Sequence, residues 1–101
     1  MNTEPTIHLI TYPNLDTVEL FFDLRSIHPR DFRIIYKTLK IKASRKYGGV
    51  VVKDGKKLNL YFPSVESALG FLADIVYDFE NDLGYIIEIL DNRTWRLKKV
   101  W

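Results

Sequence analysis

The sequence predicts a small α+β domain of order ββαββαββ, an antiparallel sheet with two helices packed on one side. Three observations predict it. Short runs alternating apolar and polar residues come in pairs separated by turn residues, which marks hairpins. Two longer segments repeat their apolar residues at helical spacing, and each follows a hairpin. No linker or low-complexity stretch interrupts the 101 residues, so 1–101 is read as a single domain.

The first hairpin joins residues 6–12, TIHLITY, to residues 17–25, TVELFFDLR, with Pro13-Asn14 at the centre of a type I turn. In the second strand Val18, Leu20, Phe22 and Leu24 share one face and Glu19, Phe21 and Asp23 the other. Pro29 suits the first turn of a helix. Phe32, Ile35, Tyr36, Leu39 and Ala43 then follow at helical spacing to about residue 47, where Gly48-Gly49 forms a stop. Leu39 to Ser44 also alternates like a strand, a competing reading of the end of this helix. Residues 50–62 make the second hairpin. A three-residue loop, Lys53-Asp54-Gly55, is expected, because it collects Val50, Val52, Leu58, Leu60 and Phe62 on one face and Val51, Lys57, Asn59 and Tyr61 on the other.

Ser64 is placed to cap a second helix over 65–82. Its stripe reads Val65, Ala68, Leu69, Leu72, Val76, Phe79 and Leu83, with Val65, Leu69, Leu72, Val76 and Phe79 as the expected core side and Gly84 as the stop. Residues 85–101 form the last hairpin. A three-residue loop, Asp91-Asn92-Arg93, aligns Tyr85, Ile87 and Ile89 with Trp95 and Leu97.

Composition bounds the function. Fourteen aromatics and 47% hydrophobic residues suffice for one core. With no cysteine, disulfides, thiolate catalysis and thiolate-bound zinc or iron–sulfur clusters are excluded. The N-terminus lacks a basic region followed by an apolar run, and no run reaches the length of a membrane span. A soluble cytoplasmic protein with no membrane association is the expectation. His28 before Pro29 reads as a capping or surface residue, no serine has a nucleophile-elbow context, and no glycine-rich phosphate loop follows a strand. No carboxylate pair stands out for acid–base chemistry. The chain is therefore read as non-enzymatic, with no cofactor and no metal.

Charge is distributed in blocks. The balance is −4 over residues 1–24, +9 over 25–57, −7 over 58–91 and +4 over 92–101. Like charges so gathered repel one another, so they answer to each other across the fold or to an external partner. On the first helix Arg30, Arg33, Lys37 and Lys40 form one ridge at steps of three, four and three. Arg45 and Lys46 close that helix, Lys53, Lys56 and Lys57 gather at the hairpin tip, and Tyr61 shares a face with Lys57 and Asn59. Cations interleaved with rings suit DNA or RNA, charge meeting phosphates and rings meeting bases. The alternative is a protein-interaction or self-assembly module that sets basic against acidic surfaces. There the contacts are the apolar Ile34 and Ile41 on the back of the first helix and the acids Asp74, Asp78 and Asp82 of the second, with a protein partner or a homo-oligomer as the product.

Overall fold

The computed structural model describes residues 4–100. Its elements are β1 (Thr6–Thr11), β2 (Val18–Asp23), α1 (Pro29–Lys46), β3 (Val50–Asp54), β4 (Lys57–Phe62), α2 (Val65–Asp78), β5 (Tyr85–Asp91) and β6 (Thr94–Lys99), and a single π-helical turn, Phe79–Leu83, follows α2. The six strands form one antiparallel sheet in the order β3-β4-β2-β1-β6-β5. The first hairpin lies at its centre. The second adds on the β2 side and the third on the β1 side, and both helices cover the same face.

The central strands carry the core. Val18, Leu20, Phe22 and Leu24 are buried on the helix-covered face, and opposite them in β1 lie Ile7 and the partly buried Leu9. The amide of Leu15 donates to the carbonyl of Tyr12 at 3.1 Å, closing the turn around Pro13-Asn14. Residues 39–44 are helical, not extended: Leu39 and Ala43 both face the core with no exposure. His28 caps α1, its Nδ1 accepting from the Arg30 amide at 3.1 Å. Gly48 follows the helix at φ +64°. Gly49 must be glycine for another reason, since a Cβ there would sit 2.7 Å from the Phe62 ring.

Four expectations need correction. The β3–β4 hairpin turns through two residues, Gly55 and Lys56, not three, and Asp54 pairs with Lys57. Gly55, at φ +60°, takes the first central position as a type II′ turn requires. This register turns Val51 toward the helices and leaves Val50 and Val52 exposed. β3 is an edge strand whose outer face nothing covers, so a count of valines per face does not choose its side.

The second correction concerns α2. Its inward face is Ala68, Phe71, Leu72 and Ile75, followed by Phe79, whereas Val65, Leu69 and Val76 are 39%, 41% and 37% exposed. The helix is apolar around much of its girth, so the two faces overlap and share Leu72 and Phe79. Volume selects between them. Phe71 fills the space beside Phe62 and Tyr47, with ring centroids 5.0 and 5.9 Å away. Third, the α-helix ends at Asp78, and the π turn runs on to Gly84 at φ +73°. It carries Glu80 and Asp82 outward while Phe79 stays buried.

In the β5–β6 hairpin Ile87 pairs with Leu97 and Ile89 with Trp95, as the alternation predicts. The tip differs: Asp91 pairs with Thr94 and the irregularity falls between Ile89 and Asp91.

The rotation of α2 is measurable. Ile75→Ala should cost about 2–5 kcal/mol, whereas Val65→Ala should stay within about 0.5 kcal/mol. Urea midpoints of the two variants decide it, and similar losses would return Val65 to the core.

Candidate nucleic-acid interface

α1 divides its cations between two directions. On the side facing α2, Lys42 bonds Asp78, Lys46 reaches Asp74 at 3.4 Å, and the Tyr47 hydroxyl donates to the same Asp74 carboxylate. The bond to Asp78 raises the Lys42 pKa against the cost of burial, and the bond to Asp74 raises that of Tyr47. The basic and acidic blocks thus meet along the seam between the helices. Asp74 and Asp78 are occupied there, whereas Asp82 is exposed on the π turn.

On the outer side, Arg30, Arg33, Lys37 and Lys40 are all exposed, and none has an acidic partner among the described residues. Lys40 lies 5.8 Å from the centroid of the Tyr36 ring, which stacks in turn on Phe32. Arg30, Arg33, Ile34 and Lys37 line a shallow cleft of about 190 Å³. Ile34 and Ile41 are 47% and 43% exposed, so apolar surface adjoins the charge as the spacing predicts. Arg45 continues the exposed surface at the helix end.

The remaining basic residues do not extend this ridge as one surface. Lys46 belongs to the seam. Lys56 donates to the Ile27 carbonyl at 2.6 Å. Lys53 lies on the helix-facing side of β3, 6.0 Å from the Phe32 ring centroid. Lys57 and Tyr61 lie on the opposite face of the sheet, because Leu58, Leu60 and Phe62 alternate toward the helices. Tyr61 and the α1 ridge are therefore on different sides of the domain.

That uncovered sheet face holds a polar network that sequence reasoning missed. Glu19 is 3% exposed and accepts from the Tyr12 hydroxyl and the Asn59 amide. The bond to Glu19 pushes the Tyr12 pKa up to about 12. Asp23 is held by both guanidinium contacts of Arg25, at 2.9 and 2.7 Å, which lower its pKa. His8 and Phe21 stack beside them at 6.3 Å. The signal in the sequence was a carboxylate inside an alternating strand, but its donors come from a loop and from β4, whose adjacency to β2 no local pattern states.

Comparison with protein-family models, curated proteins and solved structures finds no match to this chain.

The helix seam predicts an acid response. The Tyr47 hydroxyl, with Lys46, holds the Asp74 carboxyl below its usual 3.8 despite desolvation. A carboxyl with a lowered folded pKa stabilises the fold above its unfolded value, and the contribution is lost as pH falls through the folded one. The urea midpoint should therefore drop as pH falls below about 4, and drop less steeply in Asp74→Asn. Superimposable pH profiles for the two proteins would remove Asp74 from the seam's energetics.

Proposed function

We propose that this domain acts by binding, not by catalysis, and binds nucleic acid through the outer ridge of α1. The observation that carries the reading is the division of α1's cations. Lys42 and Lys46, facing α2, are matched by acids, while Arg30, Arg33, Lys37 and Lys40 are exposed and have no acidic partner among the described residues. A surplus of this kind raises the local concentration of anions, and each phosphate it neutralises releases condensed counterion. From Arg30 to Lys40 the helix rises about 15 Å, comparable to the axial rise of about four nucleotides of one strand. Arg45 and Lys53 are the next candidates at the margins.

The ridge offers charge without an exposed ring. Phosphate contacts position a protein but carry no sequence information, so the expected binding is weakly selective and does not need unpaired bases. Tyr61, on the far face, plays no part in it. The second reading rests on Ile34 and Ile41: the same helix face serves as a contact for a protein partner. Of the acids proposed for electrostatic self-assembly, Asp82 is exposed, whereas Asp74 and Asp78 would first have to leave α1.

Titration of labelled duplex and single-stranded oligonucleotides at several salt concentrations tests the proposal. Four ridge contacts imply a log–log salt slope near −3.6 on duplex, and Arg33→Ala with Lys37→Ala should flatten it by about two units. Tyr61→Ala should leave it unchanged. A folded protein that binds neither ligand at low salt would sink the nucleic-acid reading and leave the protein contact in its place.

A further inference from the structure

The line of α1 turned farthest from the core is not wholly basic. At about 100° per residue, the direction opposite Phe32, Ile35, Leu39 and Ala43 runs through Arg30, Ile34, Lys37 and Ile41, so cation and isoleucine alternate along the crest. Arg33 and Lys40 stand on one flank, toward β3: Lys40 lies over Tyr36, Tyr36 stacks on Phe32, and Lys53 of β3 reaches the same Phe32. The other flank is the seam, where Lys42 and Lys46 are engaged by Asp78 and Asp74. Asp31, the one acid of α1, is held by Tyr85 and Lys99.

The two isoleucines do not make one apolar patch. Lys37 stands between them, and Ile34 is the one apolar residue of the cleft it shares with Arg30, Arg33 and Lys37. A protein contact centres on an apolar core with a polar rim. Separate apolar spots set among unmatched cations suit a different partner, one with anionic walls and isolated apolar groups on its floor. The major groove of B-form DNA is such a surface. It is about 12 Å wide, enough to admit a helix, and the C5-methyl of thymine is the apolar group its base pairs present there.

We infer that α1 is a reading helix for duplex DNA, seated in the major groove with Ile34 and Ile41 against thymine methyl groups. The inference rests on the nucleic-acid reading above and names its ligand. From Ile34 to Ile41 the helix rises about 10.5 Å, the rise of about three nucleotides, so each isoleucine meets a base step of its own. The cations have long aliphatic stems that carry their charge out to the phosphates, while the shorter isoleucines stay at the floor. Arg33 and Lys40 take the wall on the β3 side and Arg45 the wall toward the seam. The exposed acids Glu66, Glu80 and Asp82 lie past the seam, on α2 and its π turn. They repel phosphate on that side and hold the duplex toward β3. Duplex RNA is disfavoured on two counts: the A-form major groove is too deep and narrow for side chains to read, and uracil lacks the methyl group.

Fluorescence titration of three duplexes of one length tests the inference: an alternating A·T DNA, the same DNA with every thymine replaced by deoxyuridine, and the corresponding A·U RNA. The two DNA duplexes carry equal charge and differ by one methyl group per pair. The thymine duplex should bind more tightly by about fourfold for each of two methyl contacts, about 15-fold in all, with the same salt slope for both. The RNA duplex should bind more weakly than the thymine DNA. With Ile34→Ala and Ile41→Ala together, the thymine preference should fall to less than about twofold while the salt slope stays. Both side chains are exposed, and circular dichroism confirms that the variant remains folded. Equal binding of the thymine and deoxyuridine duplexes, a preference that survives in the double variant, or RNA bound as tightly as DNA would each overturn the inference. Any of the three would leave the nucleic-acid reading intact and return Ile34 and Ile41 to a protein contact. Absence of binding to all three duplexes at low salt would sink that reading and the inference together.

Discussion

The pairing of β2 with both β1 and β4 is the contact on which the rest of the molecule depends. β2 is flanked over its full length on both edges, from Val18 to Asp23. Its side chains therefore cannot slip by one residue without sending Leu20 and Phe22 to the wrong face. Once that register holds, the second hairpin is placed on one side and the third joins through β1 on the other. The hydrophobic face of β2 then decides where both helices lie.

The two faces of β2 solve different problems. Toward the helices, Leu20 and Phe22 are wholly buried among apolar side chains. Away from them, Glu19 and Asp23 are nearly as inaccessible but carry charge. A buried carboxylate is costly unless hydrogen-bonded, and each of these two has donors: Tyr12 and Asn59 for Glu19, Arg25 for Asp23. Across β6 and β5, Arg96 bridges to Glu4 and Glu88. The uncovered sheet face is thus closed by its own polar pairs, with no helix layer over it.

The helix layer leaves two surfaces incomplete for different reasons. α1 carries more cations than α2 has acids within reach, so its outer ridge remains positively charged. α2 carries more apolar girth than the sheet can bury, so one flank stays open beside β5. Charge blocks that look unexplained along the chain are partly explained between the helices, where Lys42 and Lys46 meet Asp78 and Asp74. What the seam leaves uncovered among the described residues, the α1 ridge and the α2 flank, are two chemically distinct exposed surfaces.

The sequence by itself determined the element order, the alternation in β2 and β4, the burial of Phe32, Ile35, Leu39 and Ala43, the Ser64 N-cap and the pairing of Ile89 with Trp95. Each rests on local periodicity or on a residue with a strong conformational preference, which neighbours along the chain suffice to express. The exposure of Arg30, Arg33, Lys37 and Lys40 was legible for the same reason, since helical spacing fixes which residues share a ridge. Only the tertiary structure decided which of α2's overlapping stripes turned inward, because Phe71 wins by filling space against Phe62 and Tyr47, and periodicity has no measure of volume. It alone decided that Val51 faces the helices, since Gly55's positive φ sets the hairpin register at an edge where burial is weak. And it alone separated Tyr61 from the basic ridge. Side chains on successive strand residues point to opposite faces, so residues close in sequence, such as Tyr61 and Phe62, end on opposite sides of the sheet once the helices have covered one of them.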